Sequence, residues 1–305
     1  MTSATLLLPP VARLEGAALP PLLARALARA DLLPAAPAGS SQLGRHFPGL
    51  PADTGSWPVA ALTRQRDAGD AGTAQWVRAD PAHIAADMQG VRMLAHGPAM
   101  GLSAEQAQEL VVALQPSFAE HGIELSAPEP ARWYLRVPDA LALPALVDVD
   151  TVLGDDLFDH LPAGEVGRLW RSLLSDTQVL LHQHPLNAQR SAQGQAVVNS
   201  LWFWGGGRHP QQVQSPFGQV RSPDPLLQAI AAHAPAQAEG EQLVDLRHLR
   251  QPQALIEQAL LPLLAALGRG ELSTLLLDFE HGPVYRLSRG QRWRIWRGAQ
   301  AGWQR

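Results

Sequence analysis

The chain has 305 residues, 46% of them hydrophobic, a net charge of −4 and no cysteine. This composition is globular rather than disordered, and the missing cysteine excludes disulfides, thiolate catalysis and Cys-ligated zinc or iron–sulfur sites. All 24 basic residues are arginine, which removes the P-loop lysine and every Schiff-base mechanism. An anion site must therefore rest on Arg, His, backbone N–H groups or a metal.

At about 150 residues per domain, the length predicts two domains. No apolar run approaches the ~18 residues of a membrane span, and no basic residue precedes Arg13. The expectation is a cytoplasmic protein without a secretory signal. The negative charge argues against a whole-domain nucleic-acid footprint but leaves room for a local patch.

In chain order, Leu6–Leu8 reads as a strand stopped by Pro9 and Pro10, and Ala17–Leu33 as a helix. Residues 34–56 are rich in Pro, Gly, Ser and Ala and read as a long loop. Gln75–Arg78 and Val91–Ala95 read as strands. At Asp80 and Pro81 the pattern predicts a helix start, with Asp80 as the cap of a turn carrying His83 and Asp87. Ser103, followed by Glu105 and Gln106, opens a helix whose stripe is Ala107, Leu110, Val111, Leu114 and Phe118.

Ile123–Leu125 and Trp133–Val137 are short strands. The cluster Asp155, Asp156, Asp159 and His160 reads as a solvated loop. Val166 to Leu181 is strongly helical and ends at Pro185, and Val197–Trp204 is a buried strand running into a Gly205–Gly207 loop. A helix at Asp224–His233, a strand at Leu243–Leu246 and a helix near Pro252–Leu267 follow. Three antiparallel strands close the chain: Ser273–Phe279, Val284–Leu287 and Arg292–Trp296. Strands alternating with helices, then a meander, predict an α/β fold with a mixed sheet.

The chemistry concentrates between His182 and Gly207. His182, His184, Asn187 and Arg190 cluster where a helix ends, and Asn187 and Asn199 are the only asparagines of the chain. His182 and His184, two positions apart, point in different directions on a helix and do not chelate one metal there; on a strand they could. Arg190 is suited to gripping a carboxylate or phosphate, the asparagines to orienting it, and the glycine N–H groups to closing around it. With Arg78 in support, the expected ligand-binding set is Arg78, His184, Asn187, Arg190, Asn199, Gly205, Gly206 and Gly207. The competing reading of the histidines is a helix C-terminal cap, and that of the glycines a plain turn.

From Trp76 to Gly207 the sequence resembles the cofactor-independent phosphoglycerate mutases of the archaeal type, most of all their shorter bacterial relatives, which include regulatory proteins of the RpfE type. The residues that carry this are Trp76–His83, the Ser103–Phe118 helix and Arg132-Trp133-Tyr134-Leu135. The most specific are His184-Pro185-Leu186-Asn187 with Arg190 and Gly194, then Asn199-Ser200-Leu201-Trp202-Phe203-Trp204-Gly205. The resemblance implies a degenerate alkaline-phosphatase-like α/β core in residues 1–70 and 190–305, with 71–189 as an inserted α+β region. In the family that core carries a serine nucleophile and two divalent metals held by Asp and His. Here Pro9-Pro10 stands where the family has an Asp-Gly ligand motif, and the C-terminal part contains no Asp-x-x-x-His and no Asp-His pair. Asp278 with His281 is the nearest approach.

The reading is thus a mutase-like pseudoenzyme of bacterial type, without metal, cofactor or catalytic residues, that acts as a binding or regulatory protein for a small anionic ligand or a protein partner. One alternative is an active metal-dependent mutase or phosphatase with a relocated site using His182, His184 and Asp278. A second is nucleic-acid binding by Arg286, Arg292, Arg294, Trp296 and Arg297, because His281–Arg305 holds six arginines (286, 289, 292, 294, 297, 305) and no acid. A half-buried final strand or an acidic protein partner would use the same segment.

Overall fold

A computed structural model describes residues 2–34, 42–47, 57–88, 90–233, 240–300 and 302–303, without the side chain of Asp87. The chain divides into two units, one of residues 1–50 with 212–305 and one of residues 51–211. An inserted unit inside a discontinuous one was expected with boundaries at 70/71 and 189/190. The later second boundary follows from strand pairing described below.

The first unit begins with β1 (Ser3–Leu8), α1 (Pro21–Arg29), β2 (Asp31–Leu32) and α2 (Gln42–His46). The inserted unit runs through α3 (Val59–Ala68), β3 (Gln75–Asp87), β4 (Gly90–His96), α4 (Ala104–Ala119), β5 (Glu124–Glu129) and β6 (Arg132–Val137). It continues with α5 (Val149–Val152), α6 (Gly164–Gln183), α7 (Pro185–Ala192) and β7 (Ser200–Arg208). The first unit resumes with β8 (Gln219–Arg221), α8 (Pro225–His233) and β9 (Glu241–Asp245). Next come α9 (Pro252–Ala254), a π-helical stretch Leu255–Leu260 and α10 (Leu261–Arg269), then β10 (Thr274–Phe279) and β11 (Val284–Ser288).

The first unit is a mixed six-stranded sheet in the order β2-β11-β10-β1-β9-β8. Its four strands β8, β9, β1 and β10 are parallel, while β11 and β2 pair antiparallel at one edge. Strand β1 is central, with Leu6 between Leu277 and Val244. Its run Thr5–Leu8 is buried throughout, as an inner parallel strand covered on both faces requires. Leu23 and Leu27 of α1 and Ile256, Leu260 and Leu264 of the long helical run pack with it into one core.

The inserted unit is an antiparallel sheet, β4-β3-β6-β5, with β7 on the opposite side of β3. Gln75 of β3 lies between Val137 of β6 and Arg208 of β7. Alternation sorts the side chains by face. Val77, Trp133 and Leu135 join the stripes of α4 and α6 in the main core, whereas Trp76 and Tyr134 pack with Ala60 and Ala61 of α3. Because β7 pairs with β3, it belongs to the insert and moves the boundary past residue 208.

Several expectations are corrected. The helix expected over 17–33 is confined to Pro21–Arg29, with Pro20 as its N-cap and Pro21 as its first residue, and Asp31–Leu32 is already a strand. Within 34–56, Gln42–His46 is helical, and residues 35–41 and 48–56 lie outside the described residues. Asp80 and Pro81 start no helix, because β3 runs on to Asp87 while pairing with both β7 and β4. Gly205–Gly207 form no loop and lie inside β7. The third meander strand is absent: Ser288 and Gln291 cap each other reciprocally and wind Arg289–Trp293 into a 3₁₀ turn. The third antiparallel strand of that edge is instead β2, from the other end of the chain. No helix among the described residues is long and apolar enough to cross a membrane.

Candidate functional site

The residues from His182 to Gly207 form a clamp between α7 and β7. Helix α6 ends at Gln183, and His184 caps α7 by accepting from the Leu186 N–H through Nδ1. His182 is exposed. Asn187 is buried and donates to the Leu181 and Val198 carbonyls at 2.7 Å each, while its Oδ1 accepts from the Val198 N–H at 2.8 Å. Asn199 makes the matching pair with Ile84, accepting from its N–H at 2.8 Å and donating to its carbonyl at 2.7 Å.

Arg190 was expected to grip an anion, yet its guanidinium donates within the protein from all three nitrogens. Nε meets the Ala196 carbonyl at 2.9 Å, one terminal nitrogen meets Gln106 Oε1 at 2.9 Å, and the other meets the Met100 carbonyl. Gln106 is the residue that closes the capping box of α4 with Ser103. Arg190 therefore ties α7 to the start of α4. Burial without a carboxylate partner lowers its pKa.

Arg78 belongs to a different cluster. It holds Asp80 in a bidentate pair at 2.6 and 2.8 Å, and Trp204 Nε1 donates to the same carboxylate at 2.9 Å. Its guanidinium lies 5.3 Å from the Tyr134 ring and 5.2 Å from Trp204, while Arg64 lies 5.5 Å from Tyr134 and 4.6 Å from Trp76. The five side chains alternate ring and cation from Trp76 through Arg64, Tyr134 and Arg78 to Trp204. His83, on the same strand, bonds the Val197 carbonyl at 3.0 Å. A cavity of about 780 Å³ opens beside Arg64, lined by the pairs Arg64–Asp70 and Arg136–Glu124 and by Asp139, which pairs with Arg208.

The glycines of β7 serve close approach. A Cβ on Gly205 would stand 2.9 Å from Val59 Cβ, and one on Gly207 would stand 2.7 Å from Pro58 Cβ. Bare backbone lets the first turn of α3 lie on the strand.

In the first unit, the carboxyl ends of the parallel strands, where open α/β sheets bind their ligands, gather a second set of groups. Asp278 of β10 is fully buried. Its carboxylate accepts from Arg45, bidentately, and from His46 Nε2 at 2.6 Å. Gln42 of the same short helix donates to the Leu8 and Asp278 carbonyls at 3.2 and 2.6 Å. Asp245, at the end of β9, is held by Arg247 at 2.8 and 2.9 Å and by Ser222 Oγ at 2.7 Å. Burial pushes the Asp245 pKa up, and the Arg247 and Ser222 contacts outweigh it, so the carboxyl sits below its ordinary value.

These two carboxylates do not fit a divalent metal, because an arginine cation already occupies each one. No group of three or more His, Asp or Glu suited to a metal occurs among the described residues. The trio His182, His184 and Asp278 is split between the two units. The histidine that meets Asp278 is His46, and neither it nor Arg45 was singled out in the sequence. Both fall in a Pro- and Gly-rich stretch without periodicity, so only their residue types signalled them. His281 marks the hairpin tip, with φ 52°.

The acidic cluster is a turn: Asp155 pairs with His160 at 2.9 Å and Asp156 caps Phe158. Among the C-terminal arginines, Arg294 and Arg286 face Asp31, and Arg297 donates to the Ala30 carbonyl. Arg292 lies 4.9 Å over Trp293, and Trp293, Ile295 and Trp296 are exposed.

No family model matches the chain. It is 26% identical over 139 residues to the 2,3-bisphosphoglycerate-independent phosphoglycerate mutase of Methanosarcina barkeri, covering 44% of this chain and 35% of the relative. The enzyme of the same name from Methanosarcina acetivorans is 32% identical over 88 residues, 27% of this chain and 22% of the relative. Among solved structures, a cofactor-independent phosphoglycerate mutase from Thermoplasma acidophilum aligns over 94% of this chain and 89% of its own, with a TM-score of 0.41 and 14% identity. A Pyrococcus horikoshii protein aligns over 94% and 87%, with a TM-score of 0.46 and 12% identity. The matched stretch spans 35% of the Methanosarcina barkeri relative and 22% of the Methanosarcina acetivorans one, about a third of their length or less. Over that stretch the chain is related to the 2,3-bisphosphoglycerate-independent phosphoglycerate mutases.

Proposed function

We propose that this chain is a phosphoglycerate-mutase-like protein without the metal and serine centre, acting as a non-catalytic binding or regulatory protein. One observation carries the reading. The carboxylates at the carboxyl ends of β9 and β10 are each neutralised by an arginine of the chain itself. Phosphoryl transfer needs concentrated positive charge beside the reacting group. Carboxylates that hold guanidinium groups do not recruit divalent ions to supply it. The partner is a small anion or a protein surface.

The test is a phosphoglycerate mutase assay on the full chain with added manganese, beside elemental analysis of the purified protein. No turnover and no stoichiometric metal are expected. Turnover that tracks one or two bound metal ions per chain overturns the reading and restores the enzyme.

A further inference from the structure

The first unit carries a groove of about 160 Å³ bounded by α1, the end of α10, the end of β11 and the 3₁₀ turn that follows it. Its floor is aliphatic, made by Leu264, Leu267 and Leu287 with half-exposed Leu22 at one end. Its rim carries Arg25, Arg29, Arg289 and Arg292, and no carboxylate among the described residues lines it.

The neighbouring acids are already committed. Asp31 faces Arg286 and Arg294, and Glu271 is paired with Arg269. Among the described residues none of the four rim guanidinium groups has an ion-pair partner. Arg29 gives one terminal nitrogen to the Arg292 carbonyl at 2.9 Å, while its Nε is buried without a partner. Four like charges around an apolar floor repel one another in the empty groove, and an anion relieves that repulsion. The volume lies below the ~300 Å³ at which drug-sized pockets begin, so the occupant is small.

We propose that this groove binds a medium-chain fatty acid, with the carboxylate among the arginines and the acyl tail along the leucines. The site is separate from the strand ends on which the mutase-like reading rests, so either idea can fail without the other.

The experiment is calorimetric titration of the full chain with hexanoate, octanoate and decanoate, followed in parallel by tryptophan fluorescence, since Trp293 lies under Arg292. One site per chain is expected, with affinity rising about fourfold per methylene, as burial of a CH₂ predicts, until the floor is filled. Octanol, which lacks the charge, should bind at least tenfold more weakly than octanoate. The double variant Arg25→Gln, Arg289→Gln should lose at least tenfold while keeping its melting midpoint, because both side chains are exposed. Leu22→Asp should weaken the longer chains more than hexanoate. No saturable binding, several weak sites indifferent to these variants, or equal binding of octanol overturns the proposal. So does a single-stranded oligonucleotide that binds through the same arginines and is not displaced by decanoate.

Discussion

Asn187 presents a carbonyl and an amide to Val198 much as a neighbouring strand would, and adds a second amide hydrogen for the last turn of α6. Truncating it leaves the buried carbonyl and N–H of Val198 without their Asn187 partner, at roughly 1–3 kcal/mol for an unpaired group, while the Leu181 carbonyl keeps the His184 N–H. Asn187→Ala should therefore lower stability by about 3 kcal/mol, read as a shift in the urea midpoint with an unchanged slope. A variant that melts like the parent would free Asn187 for a ligand role. Residue-scale chemistry also sets a signature at high pH. The two tyrosines are Tyr134 and Tyr285, and burial pushes both phenols up, with Asp67 beside Tyr134 adding to the shift. A folded pKa above the unfolded ~10 means this stability is complete below pH ~10 and is lost as pH climbs through the folded values. Native protein should show less phenolate absorbance at 295 nm at pH ~10.5 than the same protein in urea, where both tyrosines ionise near ~10. An early half-amplitude step in native protein would contradict the burial of one ring.

At the scale of elements, β7 shows where a sequence pattern stops being readable. The apolar run up to Trp204 was legible as a buried strand because it is continuous and rich in aromatic residues. The three glycines after it were not, since in sequence a glycine that releases a turn and one that admits a helix look the same. Pro58 and Val59, which fill the space left by the missing Cβ atoms, lie about 150 residues away in the chain. Periodic elements were read well for the opposite reason: the stripe of α4 and the Ser103 cap are local facts, and the helix follows from them. Arg190 and Asn187 were legible as special residues and not as clamps, because their partners at Met100, Gln106 and Val198 come from other elements. The packing role separates the glycines from one another. Gly205 combines φ +60° with a Cβ position 2.9 Å from Val59 Cβ, while the Gly206 position meets first the Cδ1 of Leu143, a flexible end. Gly205→Ala should cost about 2–3 kcal/mol by strain and clash together. Gly206→Ala should cost clearly less. Equal small losses in thermal melts, accompanied by weaker anion binding in both, would favour a backbone anion cradle instead.

For the whole molecule the decisive feature is that the two units hold separate hydrophobic clusters. One cluster runs from Val77 to Phe203 and gathers Trp133, Trp170 and Phe118; the other joins β1, α1 and the helical run before β10. Every strand pairing of the five-stranded sheet is internal to residues 75–208, and both faces of that sheet are covered by helices of the unit 51–211, α3 on one and α4 and α6 on the other. A unit of about 160 residues that buries its own core and pairs its own strands meets the conditions for independent folding. The segment 51–211 expressed alone should therefore unfold in one cooperative step, with the near-ultraviolet circular dichroism of packed tryptophans. The first unit has a different dependence. Its sheet alternates strands from both ends of the chain, since β1 sits between β9 and β10 and β2 lies beyond β11. Residues 212–305 alone lack the central strand and should not fold. If 51–211 proved molten while the full chain melted cooperatively, the insert would depend on the first unit for its packing. A cooperative fragment would instead mean that selection on the carboxyl ends of β9 and β10 can act without disturbing the insert.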